Sequence, residues 1–91
     1  LGHSHPAAVK ALVDQAQKLW HVSNLYQIPK LEEFATLLTK HSFADKVFFC
    51  NSGAEAVECG IKMIRKYHDE TGNPDRYEII TFEGAFHGRT L

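Results

Sequence analysis

No charge of either sign dominates this sequence. Its 91 residues carry 10 Lys+Arg against 11 Asp+Glu, a formal net charge of −1. A nucleic-acid backbone is held by an excess of cations, so binding through bulk electrostatics is not expected. No apolar run approaches the ~20 residues that a membrane-spanning helix needs. Cysteine is scarce: Cys50 and Cys59 form no CxxC pair and make no disulfide framework. They are expected to be reduced, buried thiols of a cytosolic protein. Repeats, low-complexity tracts and charge blocks are missing too, and no domain boundary stands out in the composition. The first residues, Leu1-Gly2-His3-Ser4-His5-Pro6, include neither an initiator Met nor a basic-then-apolar signal pattern. The last, Gly88-Arg89-Thr90-Leu91, follow directly on a loop-like segment. A piece of a longer protein is therefore expected.

What is present suits a folded α/β chain. Hydrophobic residues make up 44% and aromatics 11%, which excludes a disordered tail. Pro6 suits the first position of a helix, where a missing N–H costs nothing, and Ser4 or His5 can cap it. Val9, Leu12, Val13, Ala16 and Leu19 then share one helical face, predicting a helix over about Pro6–Leu19. Trp20–Ile28 reads as a loop closed by Pro29. Leu31, Phe34, Ala35 and Leu38 predict a second helix over about Lys30–Lys40. Val47-Phe48-Phe49-Cys50 is a short continuous apolar run, the pattern of a strand buried on both faces. Ser52 opens a third helix to about His68, with Ser52 and Glu55 at the spacing of a capping box. Val57, Ile61 and Ile64 form its stripe, and Gly72 with Pro74 ends it. Tyr77–Phe82 is a second buried-type strand. Strand, helix and strand with short connections read as a βαβ unit with parallel strands.

The strongest local signal is Asn51-Ser52-Gly53-Ala54-Glu55-Ala56, between a predicted strand end and a helix start. Open α/β sheets bind ligands at that edge. Small residues at Gly53 and Ala54 leave backbone N–H groups accessible, and the helix dipole favours an anion by about 0.3–2 kcal/mol. A phosphate suits the place; an ordinary capped helix without a ligand fits the local pattern as well. Neither the GxxxxGK[ST] nor the GxGxxG motif occurs. Phe86 and His87 follow the next predicted strand and can reach the same edge. The Phe86 ring can stack on a flat heteroaromatic ligand or plug the core. Gly84 and Gly88 flank the pair and permit unusual backbone angles. His3 and His5 lack a third metal ligand nearby and read as capping or packing residues. The loop Trp20-His21-Val22-Ser23-Asn24-Leu25-Tyr26 is rich in amphipathic side chains, which line sites as well as trim cores.

Taken together, LGHSHP at Leu1–Pro6, LWHVSNLY at Leu19–Tyr26, FADKVFFCNSGAEAVE at Phe43–Glu58 and ITFEGAFHGRTL at Ile79–Leu91 resemble the class III pyridoxal-phosphate-dependent aminotransferases. Their order and spacing span almost the whole chain. The resemblance implies the fold type I architecture of aspartate aminotransferase-like enzymes, α/β in class. The βαβ unit would be part of the large-domain sheet, its two strands separated there by later ones. Residues 1–28 would form an N-terminal small-domain helix and a substrate-entrance loop, and residues 29–91 the start of the large cofactor-binding domain.

The resemblance also implies the site. Ser52, Gly53 and Ala54 match the donors to the phosphate of pyridoxal 5'-phosphate. Phe86 matches the aromatic residue stacked on its ring, with His87 beside it. Tyr26, with Ser23 and Asn24, matches a segment lining the substrate entrance near the interface of a homodimer. The Schiff-base lysine is not matched by any of the seven lysines here, Lys10, Lys18, Lys30, Lys40, Lys46, Lys62 and Lys66. The chain alone is thus expected not to transaminate. The function implied is a cytoplasmic enzyme moving an amino group from an N-acyl ornithine-type donor to 2-oxoglutarate. Ornithine, 4-aminobutyrate and succinyl-diaminopimelate donors stay open. Where many relatives carry Asn-Glu after SGAEA, this chain has Val57-Glu58, which leaves the phosphate donors undisturbed. Two readings of other classes stand beside the enzyme: a non-catalytic phosphate- or anion-binding module built on the Ser52 helix, and a structural fragment held by a partner chain.

Overall fold

A computed structural model describes residues 2–23 and 25–91. Its regular structure among these residues is α1 (Pro6–Ala16), α2 (Pro29–Lys40) and α3 (Gly53–Glu70). The chain divides into two units, Leu1–Lys46 with α1 and α2, and Val47–Leu91 with α3.

In the first unit a proline opens each helix: Pro6 as predicted, and Pro29, which the sequence suggests as the close of the loop, one residue before the expected start at Lys30. His5 caps α1, its Nδ1 accepting from the Ala7 amide at 3.3 Å. The helix ends at Ala16, earlier than the apolar spacing predicts. The Lys18 amide turns back to the Gln15 carbonyl at 2.9 Å, and the Trp20 indole N–H caps the Ala16 carbonyl at 2.6 Å. An i→i−3 bond of this kind tightens the last turn and closes the helix. On α2 the expected face is only half formed: Ala35 and Leu38 are partly covered, while Leu31 stays exposed.

In the second unit α3 has both of its sequence-encoded ends. The Ser52 hydroxyl accepts from the Glu55 amide at 3.2 Å. The Glu55 carboxylate reaches back to the Asn51 amide at 2.6 Å, one residue earlier than the reciprocal box places it. At the other end Gly72 adopts φ +78°. There the Gly72 amide donates to the Asp69 carbonyl at 3.1 Å and the Asn73 amide to His68 at 2.8 Å. That bond pair is a Schellman motif, and its left-handed residue is the reason glycine stands there. Four Lys–carboxylate pairs decorate the helices: Lys10–Asp14, Lys30–Glu33 and Lys66–Glu70 are exposed, and Lys62–Glu58 is half-covered on its Glu58 side. Each is worth only tenths of a kcal/mol to about 1.

The segments 47–50 and 77–82 form no ladder among the described residues. A strand is completed only by a neighbour whose N–H and C=O groups face its own, and these two segments do not pair with each other. Burial is equally incomplete. No described residue is buried, and Trp20, Phe43 and Ile80 are 87%, 101% and 97% exposed. The cysteines depart from expectation in the same way: Cys50 is exposed and Cys59 half-buried. Phe48, Cys50, Cys59, Met63 and Tyr67 line an open groove of about 880 Å³ along α3. No helix is long and apolar enough to cross a membrane among the described residues.

Each large apolar side chain left in water forgoes about 1.5–3 kcal/mol of burial. The isolated 91 residues are therefore expected to lose helical circular dichroism gradually on heating and to bind a hydrophobic dye; a sharp, dye-silent transition would contradict this. The Ser52 cap is testable locally. In a peptide spanning residues 50–73, Ser52→Ala should lower helicity by an amount equivalent to about 1 kcal/mol, read by circular dichroism.

Candidate functional site

The first turn of α3 leaves donors open. The Glu55 amide is taken by the Ser52 hydroxyl and the Ala56 amide by the Ser52 carbonyl at 3.0 Å. The amides of Gly53 and Ala54, the first two of the helix, have no intrahelical acceptor. Ser52 accepts through its oxygen, so its hydroxyl proton is available to donate. A Cβ built on Gly53 would meet nothing within 4 Å, so the helix start is uncrowded beside that residue.

The loop after segment 77–82 completes the place. Residues 82–85 turn through Gly84 at φ +74°, with the Ala85 amide donating to the Phe82 carbonyl at 3.1 Å. The chain then passes directly over the helix start. A Cβ on Gly88 would stand 2.5 Å from the Ala54 Cβ and 3.1 Å from its Cα. Gly88 also sits at φ +98°, a backbone angle that side-chain-bearing residues rarely take. Both facts require glycine at this crossing.

Together these elements enclose a cavity of about 390 Å³ in the second unit. Five of the residues expected to hold the cofactor, Ser52, Gly53, Ala54, Phe86 and His87, all line it. Three further lining residues, Val57, Gly88 and Arg89, did not stand out in the sequence as site residues. Arg89 was findable: it is the only Lys or Arg after Arg76 and sits beside the glycine that makes the crossing. Its guanidinium lies 5.7 Å from the Phe86 ring centroid. Such a contact is worth about 0.5–1 kcal/mol at an exposed site. Most of the Phe86 surface, 78%, remains accessible.

The electrostatics of this cavity favour an anion. Its lining holds one guanidinium, one imidazole and a helix N-terminus, and no carboxylate. The nearby acids point elsewhere: Glu55 is turned to the Asn51 amide, and Glu55 and Glu58 line the other groove. Glu58 is held below the usual carboxylate range, first by the hydrogen bond from the Thr90 hydroxyl and further by Lys62, with burial opposing. No lysine lines the cavity.

The remaining expected residues fall in the first unit. The Tyr26 amide donates to the Ser23 carbonyl at 3.0 Å, and the Leu25 amide to the Ser23 hydroxyl at 3.4 Å. Tyr26 is 67% exposed. Asn24, expected with them at the substrate entrance, lies outside the described residues.

A helix N-terminus whose first amides lack intrahelical acceptors, crossed by a loop carrying an aromatic ring and a cation, has the chemistry to take an anion and a flat ring. Comparison with known proteins places it in a family. The family model described as Aminotransferase class-III matches residues 1–91, and the chain belongs to this family. It is 67% identical over 91 residues to acetylornithine aminotransferase 1 of Bradyrhizobium diazoefficiens, covering 100% of this chain and 22% of that relative. It is 63% identical over 91 residues to the acetylornithine aminotransferase of Agrobacterium fabrum, covering 100% of the chain and 23% of the relative. With the acetylornithine aminotransferase of Synechocystis it shares 56% over 92 residues, 100% of the chain and 21% of the relative. The chain thus spans less than a quarter of the length of these relatives.

The crossing generates a prediction. In a full-length protein carrying this sequence, Gly88→Ala should destabilise by about 1–3 kcal/mol, because the new Cβ meets backbone-anchored atoms of Ala54. Adding Ala54→Gly should recover part of the loss, leaving the cost of the positive φ. Thermal melts of the single and double variants check this.

Proposed function

We propose that this chain is the cofactor-anchoring part of a pyridoxal-phosphate-dependent aminotransferase. The full-length enzyme moves an amino group from N-acetylornithine, or a related ω-amino donor, to 2-oxoglutarate, and serves arginine biosynthesis in the cytoplasm. The observation that carries the proposal is the cavity that gathers Ser52, Gly53, Ala54, Phe86 and His87 around the unclaimed amides of α3. The names of the relatives support the choice of donor.

The residues fit the group. The phosphate would take the Gly53 and Ala54 amides and the Ser52 hydroxyl, with the dipole of an 18-residue helix behind them. Phe86 would lie against the pyridine ring and fix its tilt. His87 would stand at the ring's edge. When bound, the cofactor supplies an electron sink for breaking bonds at the donor carbon. This chain's part is to bind and orient it. The lining contains no lysine, so the covalent anchor comes from elsewhere in the enzyme. Tyr26 and Ser23, with Asn24, would line the substrate entrance near the interface of a homodimer. Residues 1–28 would belong to the small-domain part and residues 29–91 to the large domain. There segments 47–50 and 77–82 would join a parallel fold type I sheet, as the two strands of a βαβ unit with other strands between them.

The test uses a full-length protein carrying this sequence. With pyridoxal phosphate, N-acetylornithine and 2-oxoglutarate it should form glutamate, and Ser52→Ala should weaken cofactor binding about tenfold or more, the value of a charge-assisted hydrogen bond. Stoichiometric phosphate binding without any glutamate formation would support a non-catalytic anion-binding module instead and defeat the proposal.

A further inference from the structure

Ala54 meets the site in two ways. Its amide is one of the two first-turn donors of α3 without an intrahelical acceptor. Its side chain lies against the loop that crosses the helix start. A Cβ on Gly88 would stand 2.5 Å from the Ala54 Cβ, 3.1 Å from its Cα and 3.9 Å from its amide nitrogen. With a carbon–carbon bond of about 1.5 Å, the Gly88 Cα itself lies no more than about 4.0 Å from the Ala54 Cβ. That is van der Waals contact. All three of these nearest atoms belong to Ala54, so the crossing rests on this one residue.

The ring-bearing span has a glycine on each side. Gly84 at φ +74° precedes it, and Gly88 at φ +98° follows Phe86 and His87. The chain bends again at Arg89, whose guanidinium lies over the Phe86 ring. Glycine torsions are permissive. They let the span tilt, but they do not set its height over the helix. A hard contact does, because carbons pressed inside their contact distance force the backbone to shift. The Ala54 methyl is placed to make that contact. Phe86 and Arg89 stand on either side of Gly88, so what moves the crossing moves both.

We propose that Ala54 is a positioning residue: its methyl is the stop on which Gly88 rests, and its size sets the height of Phe86, His87 and Arg89 over the helix start. The amide of the same residue serves the anion whatever the side chain. Anion binding and ring placement are thereby separable at one position. Valine fills two of the three staggered positions on Cβ, so a methyl directed at Gly88 is avoided in one rotamer at most. It lifts the loop and leaves the amide in place. Glycine removes the stop and leaves the amide in place as well. The inference rests on the reading of the cavity as the cofactor cradle, and Ser52→Ala serves as the control for that reading.

The experiment compares Ala54→Val, Ala54→Gly and Ser52→Ala in a full-length protein carrying this sequence. Apo-protein is titrated with pyridoxal phosphate, and inorganic phosphate is titrated as its competitor. Visible circular dichroism of the bound cofactor is recorded for each variant. Ala54→Val should weaken pyridoxal phosphate about three- to tenfold, the value of a misplaced stacking ring, and change the dichroism. Its affinity for inorganic phosphate should stay at the wild-type value. Ala54→Gly should also change the dichroism at wild-type phosphate affinity, and it decides the matter alone if the valine variant does not fold. Ser52→Ala should weaken both ligands. If Ala54→Val weakens pyridoxal phosphate and inorganic phosphate equally, the residue acts through the donors and the inference is overturned. If the Ala54 variants keep wild-type cofactor affinity and dichroism while Ser52→Ala weakens both ligands, the stop is overturned and the cradle stands. If Ser52→Ala binds both as tightly as wild type, the cradle reading fails and the inference with it.

Discussion

The Ser52 hydroxyl takes the amide of Glu55, and the Gly53 and Ala54 amides are left as the open donors of an 18-residue helix. That division is the constraint on which the second unit depends. A cap that used every donor would leave nothing for an anion, and an uncapped end would fray. Here the cap secures the third amide and the Ser52 carbonyl the fourth, while the first two have no intrahelical acceptor. Glu55, the one acid in the first turn, is turned away to the Asn51 amide. The Glu55 carboxylate stays at the helix end, on the Asn51 amide, and leaves the Gly53 and Ala54 amides untaken.

The second condition is steric. The loop can bring Phe86 and Arg89 to that helix end only because Gly88 has no side chain where it crosses Ala54. These are local contacts, made within residues 47–91. They coexist with a surface on which no described residue is buried. The contrast is physical: caps and close approaches need a few residues, whereas a hydrophobic core needs opposing layers. A chain that spans 22% of a relative's length can contain the first without the second.

The same distinction explains what the sequence made legible. The helix start at Pro6, the Ser52 cap and the Gly72 stop are written in single residues, and each appears where its chemistry predicts. That Ser52, Gly53, Ala54, Phe86 and His87 belong together was implied by the family resemblance, the local pattern alone leaving a ligand-free capped helix open; they line one cavity although no sheet edge forms among the described residues. Other features depend on distant partners. Val47–Cys50 has strand composition, but a ladder needs a second strand, and none is found among the described residues. The length of α1 was set by the Trp20 indole folding onto Ala16, which apolar periodicity does not encode. The unusual backbone angle at Gly88 was legible, but its crossing of Ala54 and the place of Arg89 in the cavity were not, because they depend on what these residues touch. A steric crossing and a ring contact carry no spacing signature.

The central claim is that the start of α3 holds the phosphate of pyridoxal phosphate. An experimental structure of a full-length protein carrying this sequence, loaded with the cofactor, tests it most directly. The account predicts phosphate oxygens within hydrogen-bonding distance of the Gly53 and Ala54 amides and the Ser52 hydroxyl, with the ring against Phe86. A phosphate bound away from these three donors would contradict it.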